Sequence, residues 1–276
     1  MLKQPTPLLI SLLNQRQSKI MPQFAANLSM LFTEYPLIDR FSAAAKAGFD
    51  KVEIQFPYAL SIDAIQQQLK DNRQQLILLN CPAGDWASGE RGIACHPDRI
   101  AEFQDGVQQA IQYATALNCH KVNILSGIIP ESCSQSEAEQ CFIANLKYAA
   151  DQFEKNRIQL LVEAINTQDI PGFLLHGSQQ AFELFKQVSH TNLKLQYDIY
   201  HMQIMEGNLI QTLRDHLPLI GHIQFADVPG RHEPQTGELN FPNIFKALDD
   251  MGYSDPISLE YNPASTTEAG LSWLKN

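Results

Sequence analysis

Four short apolar runs in the second half of the chain each end on an oxygen able to bind a metal: Leu160-Leu161-Val162-Glu163, Leu195-Gln196-Tyr197-Asp198, His222-Ile223-Gln224 and Ser258-Leu259-Glu260. One carboxylate at the end of a β-run is ordinarily a solvated or salt-bridged terminus. Four such ends in register with a fold period mean more, because a carboxylate at the edge of an apolar interior carries a desolvation cost unless something cationic meets it. Glu163, Asp198, Gln224 and Glu260 together offer three carboxylates and one amide oxygen, without a thiolate. Hard oxygen ligands favour Mg2+ or Mn2+ over Zn2+, and a spread from 163 to 260 is unlike the compact loop of a Ca2+ site.

A divalent ion held this way binds adjacent carbonyl and hydroxyl oxygens and stabilises an enediolate as it forms, which is what aldose–ketose interconversion requires. The reaction also needs a base to lift a proton from one carbon and an acid to return it to the next. Glu163 and Glu260 are the expected pair, each both ligand and proton carrier. His201, three residues after Asp198, is expected to donate to a substrate oxygen, although a lone histidine there also reads as a hydrogen-bonded loop residue. His222 shares a strand face with Gln224 but lies deeper, which favours a packed core role. Glu53, inside Val52-Glu53-Ile54, is a buried carboxylate that either contacts or supports the substrate or forms an internal salt bridge. Asn80 and Trp86 complete the candidate substrate-binding set, Trp86 either walling off water or anchoring its loop.

The elements that must position these side chains alternate along the chain. Strand candidates are 23–28, 51–56, 75–80, 121–125, 159–163, 192–198, 221–227 and 257–261, with helix-period stretches between them. Ile100, Phe103, Val107, Ile111, Ala114 and Leu117 fall at helical spacing. So do Phe142, Leu146, Ala149 and Phe153, preceded by Ser136-x-x-Glu139, which reads as a capping box. Gly48 and Gly252 stand where helix C-caps are expected. Eight βα units in this length predict one closed (β/α)8 barrel over residues 21–276, and no G-x-G-x-x-G or Walker-type motif supports a nucleotide fold. The connections Cys81–Asp98 and Val228–Asn240 follow strand ends and are unusually long, as active-site loops often are. Each carries an arginine, Arg91 and Arg231, suited to a substrate carboxylate. Residues 1–20 are expected to be a weakly ordered extension, too short in their apolar run to span a bilayer.

A net charge of −10 argues against nucleic acid or an anionic membrane as partner. Five cysteines, odd in number and without a C-x-x-C pair, fit reduced thiols in the cytoplasm. The expected partner is a small sugar-acid substrate, with self-association into a homo-oligomer left open.

These residues, together with FAANLSMLF (24–32), VEIQFPY (52–58), NCPAGDWASGERGIAC (80–95), EAIN (163–166), IPGF (170–173), QYDIYHMQ (196–203), HIQFAD (222–227) and TTEAG (266–270), closely resemble the hydroxypyruvate isomerase family. The wider group is that of the xylose-isomerase-like barrels, and the resemblance covers essentially all of 21–276. It implies interconversion of hydroxypyruvate and 2-hydroxy-3-oxopropanoate (tartronate semialdehyde), with Glu163 and Glu260 as proton donor and acceptor. The related 2-oxotetronate isomerases share the motifs. Gln224 stands where the ketose epimerases of the group carry a metal-binding histidine, which counts against ketohexose epimerisation. An AP endonuclease of the group would need a histidine-rich zinc set and a basic face. A noncatalytic sugar-acid binding barrel would have little need for two proton-carrying glutamates.

Overall fold

The alternation closes on itself. In a computed structural model that describes residues 22–275, eight parallel strands pair in chain order and the last returns to the first, forming a closed barrel. They are β1 (Phe24–Asn27), β2 (Lys51–Ile54), β3 (Gln75–Asn80), β4 (Lys121–Ile124), β5 (Gln159–Glu163), β6 (Leu193–Asp198), β7 (Ile220–Phe225) and β8 (Ile257–Leu259). The helices between them are α1 (Arg40–Lys46), α2 (Ile62–Asp71), α3 (Ile100–Ala116), α4 (Gln135–Lys155), α5 (Ser178–Val188), α6 (Ile199–Met205), α7 (Leu209–His216), α8 (Phe241–Asp250) and α9 (Thr267–Gly270). The expectation for residues 1–20 lies outside the described residues. No helix among the described residues is long and apolar enough to cross a membrane.

Strand parity divides the core in two. Outward residues such as Val52, Leu79, Val122, Leu160, Leu195, Ile223 and Leu259 join one large cluster with the helices, including Phe103 and Val107 of α3 and Phe142 and Phe153 of α4. Inside the barrel the apolar cluster is only Ala25, Ile77, Leu78 and Leu161. The rest of the interior is polar and buried, with Asn27, Glu53, Asn123, Gln196, His222, Gln224 and Ser258 all shielded from solvent. Successive side chains on a strand face opposite ways, so one parity feeds the outer shell and the other feeds the site. In β7, Leu195 pairs with Ile220 but Gln196 pairs with His222, leaving Gly221 as a bulge. A Cβ on Gly221 would sit 2.6 Å from Leu161 and 2.8 Å from Gln159, so only glycine fits there.

The expected capping box is displaced by two residues. Ser134, not Ser136, caps α4, its Oγ accepting from Glu137 N while Glu137 Oε2 accepts from Ser134 N at 2.8 Å. The spacing S-x-x-E occurs twice here, and Ser134 alone has the extended backbone (φ −73°, ψ 158°) that a cap requires, Ser136 being already inside the helix. Gly48 and Gly252 end helices in the left-handed region as expected, with φ of 96° and 76°.

The loops after β3, β4 and β5 lock together at the rim. Cys95 N donates to Ser126 O at 2.9 Å, Leu174 N to Gly127 O at 2.9 Å and Ile129 N to Gly172 O at 3.1 Å. Leu175 N adds a bond to Ser126 Oγ at 3.1 Å. Gly92 and Gly127 meet backbone to backbone, for a Cβ on Gly127 would lie 2.4 Å from Gly92 O. The tip around Asp85–Gly89 stands clear, with Trp86 41% exposed and its ring tilted against Phe56, the centroids 5.1 Å apart.

Candidate active site

The C-terminal mouth of the barrel gathers the carboxylates, and amides sort their oxygens into two kinds. Glu260, the residue after β8, accepts at Oε1 from Asn27 Nδ2 (2.9 Å), Gln55 Nε2 (2.9 Å) and Gln224 Nε2 (3.1 Å). Glu163, at the end of β5, accepts at Oε2 from Asn123 Nδ2 and Gln196 Nε2, both at 3.0 Å. An oxygen already receiving N–H donors has no room for a hydrogen of its own in those directions. A proton on either glutamate therefore rides on the other oxygen, Oε2 of Glu260 or Oε1 of Glu163.

Asp198 also divides its work. Its Oδ1 caps α6 by accepting from Tyr200 N at 2.8 Å, and its Oδ2 turns into the mouth. There Arg231 Nη2 reaches Asp198 Oδ2 at 3.2 Å and Glu260 Oε2 at 2.7 Å, with its guanidinium 5.0 Å from the centre of the Tyr200 ring. The loop after β7 aims Arg231 inward: its backbone is left-handed (φ 56°), its carbonyl accepts from Asn262 N at 2.8 Å, and Asp227 gathers the loop by accepting from Gly237 N and Leu239 N. Arg231 Nε is buried without a partner among the described residues.

His201, in the first turn of α6, lies with Nε2 3.5 Å from Asp198 Oδ2 and 3.9 Å from Glu163 Oε1. Its Nδ1 faces Asn166 N at 3.3 Å and Asn166 Nδ2 at 2.7 Å. The Asn166 amide is fixed, since its Oδ1 accepts from Gln168 N and Asp169 N. Two donors at Nδ1 make that atom the acceptor and leave the proton on Nε2, pointing into the mouth. Burial, reinforced by the Arg231 charge, holds the His201 pKa well below its ordinary value, so the ring is neutral.

The electrostatics of the mouth are compatible with a bound cation. Burial above all, then the Asp198 charge, pushes Glu163 up to about 8. Burial raises Asp198 despite the opposing Arg231 charge, and raises Glu260 well above the carboxylate range. Burial works against the Arg231 charge, but Glu260 and Asp198 outweigh it and its pKa rises. Four buried carboxylates, Glu53 included, thus face one arginine and two histidines. Ligand atoms of Glu163, Asp198 and His201 all lie within 4.8 Å of one another. The donor set fits a hard divalent cation. The Nε2 proton, however, makes His201 a hydrogen-bond donor here, so the carboxylates are its better ligands.

Three of the residues singled out from sequence take on a different meaning in the fold. Glu53 is fully buried beneath the mouth, its Oε1 accepting from Asn27 and Gln224 and its Oε2 paired with His222 at 2.9 Å. Among the described residues its oxygens are taken up by Asn27, Gln224 and His222, an internal pairing of the kind the sequence left open. Gln224 donates from Nε2 to Glu53 at 2.7 Å and accepts at Oε1 from Gln196 Nε2 at 2.6 Å. Arg91 folds onto its own loop: Nη1 donates to Trp86 O and Glu90 O, and the guanidinium lies 4.1 Å over the Trp86 ring. Among the described residues it is joined to none of the carboxylates of the mouth. Asn80 lies at the end of β3 with Oδ1 buried and unpartnered among the described residues. Sequence reading missed Asn27, Gln55, Asn123, Gln196 and Asn166. For the strand residues among them the available signal was a polar side chain on the parity that faces the barrel interior.

Residues 41–276 match the model of the xylose isomerase-like TIM barrel family. The chain is 49% identical over 254 residues to "Hydroxypyruvate isomerase" of Escherichia coli (strain K12), covering 92% of this chain and 98% of that protein. It is 44% identical over 255 residues to "2-oxo-tetronate isomerase" of Pectobacterium atrosepticum, covering 92% of this chain and 97% of the relative. A crystal structure from Brucella melitensis titled "AP endonuclease, family 2" superposes with a TM-score of 0.90 at 44% identity, over 92% of this chain and 98% of that one. With the barrel closed in chain order and its mouth lined as described, this chain belongs to the xylose isomerase-like TIM barrel family.

Proposed function

We propose that this isomerase interconverts hydroxypyruvate and 2-hydroxy-3-oxopropanoate by moving a proton between neighbouring carbons through Glu163 and Glu260. One observation carries the reading. Each glutamate has one oxygen held by amide donors, while the other oxygen meets a charged or polar neighbour of the mouth, Arg231 at Glu260 Oε2 (2.7 Å) and His201 near Glu163 Oε1 (3.9 Å). Isomerase activity among close relatives supports it.

One glutamate takes the proton from the hydroxyl-bearing carbon, and the other gives one to the former carbonyl carbon. Burial raises both above the ordinary carboxylate range, Glu163 to about 8, which favours a carboxyl that can carry a proton. His201 donates a hydrogen bond from its Nε2–H to a substrate oxygen and keeps the proton. Arg231 receives the substrate carboxylate with the donors that Asp198 and Glu260 leave free. Glu163, Asp198, Gln224 and Glu260 are the residues that would hold Mg2+ or Mn2+, which when bound supplies Lewis-acid polarisation of adjacent carbonyl and hydroxyl oxygens.

The alternative substrate is a four-carbon 2-oxotetronate, favoured by a relative of that printed activity at 44% identity. Turnover of the three- and four-carbon acids side by side decides between them: higher kcat/KM for the three-carbon acid supports our assignment, and the reverse order replaces it. DNA cleavage is disfavoured, since the chain has a net charge of −10 and the metal-ligand cluster found among the described residues holds one histidine.

The two arginines give a separate test. Arg231→Lys is expected to lower kcat/KM for the acid by about 10–100-fold, the worth of one charge-assisted hydrogen bond. Arg91→Lys should cost far less, its guanidinium being committed to loop carbonyls. A larger loss at Arg91 would move the carboxylate site to the loop after β3.

A further inference from the structure

We propose that Glu53, braced by His222, is a positioning residue that locks the Gln224 amide so that its oxygen, and not its nitrogen, faces the Glu163 side of the mouth. The inference rests on the reading above in which Gln224 belongs to the cation-binding set. A carboxylate ligand has two equivalent ends. An amide has one end that binds a cation and one that repels it, so an amide ligand needs something to choose its orientation.

The hydrogen bonds around Gln224 make that choice. Its Nε2 lies 2.7 Å from Glu53 Oε1 and 3.1 Å from Glu260 Oε1. Its Oε1 lies 2.6 Å from Gln196 Nε2, which in turn donates to Glu163 Oε2. Turning the amide over would set oxygen against oxygen at Glu53 and Glu260 and nitrogen against nitrogen at Gln196. Three favourable contacts would become three unfavourable ones.

Glu53 can enforce this because it is itself immobilised. It is fully buried, and Asn27 Nδ2 at 3.0 Å shares its Oε1 with Gln224, while His222 Nε2 holds Oε2 at 2.9 Å. The Gly221 bulge matters here, since it brings both His222 and Gln224 onto the interior face of β7. Glu53 Oε1 is taken up by Asn27 and Gln224 and its Oε2 by His222, so its link toward Glu163 runs through the Gln224 amide.

The test measures Mn2+ affinity by the free-ion electron paramagnetic resonance signal, without substrate, in wild type, Glu53→Leu, Gln224→Glu and the double variant. Leucine has about the same reach as glutamate but no acceptor for the Gln224 amide. Loss of an outer partner of a ligand typically weakens metal binding about 10–100-fold, and that loss is expected for Glu53→Leu when position 224 is Gln. When position 224 is Glu there is no wrong end to choose, and like charge no longer faces it, so Glu53→Leu should leave affinity unchanged or improve it. Glu53→Asp, which keeps the charge but withdraws it by one methylene, should weaken Mn2+ binding in the same direction and stands in if Glu53→Leu does not fold. Equal losses in both backgrounds, or Mn2+ binding within threefold of wild type in Glu53→Leu, would overturn the lock while leaving the cation site intact. Absence of Mn2+ binding in wild type would overturn the cation reading, and the lock with it.

Discussion

Glu163→Gln and Glu260→Gln are each expected to lower turnover by about 10²–10⁴-fold, the usual worth of a general acid or base. The substitutions are conservative where packing is concerned. A glutamine at 163 can still accept from Asn123 and Gln196 through its oxygen, and one at 260 can still accept from Asn27, Gln55 and Gln224. What disappears is the proton on the outer oxygen. Each proton must leave one carbon and arrive at its neighbour, so the two variants should divide the reaction. One should still exchange a substrate C–H proton with solvent deuterium, and neither should complete isomerisation. Wild-type-like turnover in either variant would remove that glutamate from the chemistry and favour a hydride shift or another base.

Removal of divalent metal with EDTA is expected to abolish turnover, with Mg2+ or Mn2+ restoring it. The physical reason is the charge balance of the mouth, where Glu163, Asp198 and Glu260 are buried with Arg231 as the shared counterion. The same imbalance predicts a second readout. A cation that binds only the folded chain adds about 2.7 kcal/mol at one hundred times its Kd. For a chain of this size that corresponds to a rise in Tm of roughly 5–10 °C. Zinc should restore less activity than magnesium, since the ligands are oxygens. Full activity after exhaustive chelation, with unchanged Tm on adding metal, would leave Arg231 and His201 to polarise the substrate oxygens.

The barrel was legible because its strands are short apolar runs and its helices carry the longer period, so each unit announces itself locally. Glu163, Asp198 and Glu260 could be singled out for a related reason: each carboxylate closes an apolar run, and the closed barrel brings those strand ends to one rim. Other assignments depended on distant partners. Glu53 could be read as substrate contact or ion pair, and the deciding neighbour, His222, lies 169 residues away. The amides of Asn27, Asn123 and Gln196 carry no local mark of their role, which comes from the closed barrel setting Asn27 against Glu260 and the other two against Glu163. Arg91 and Arg231 were equivalent in sequence, each on a long loop. The difference lies in what holds the loops, Asp227 and Asn262 turning Arg231 inward and Trp86 holding Arg91 on its own loop. The capping box moved because one spacing occurs twice within a few residues, and only backbone geometry chooses between Ser134 and Ser136.

The interlocked loops after β3, β4 and β5 bear on how this rim can be re-engineered. With Gly92 against Gly127, and Gly127 and Gly172 bonded to the loops on either side, no one of the three can change length or gain a side chain at these points without displacing a neighbour. Transplanting the loop after β3 alone from a relative of different substrate preference should therefore give a chain that folds poorly or keeps its old preference. Moving all three together preserves their shared backbone contacts. Substrate preference on this side of the barrel is then a trait exchanged as a block, while the tip around Trp86 remains the part that single substitutions can vary.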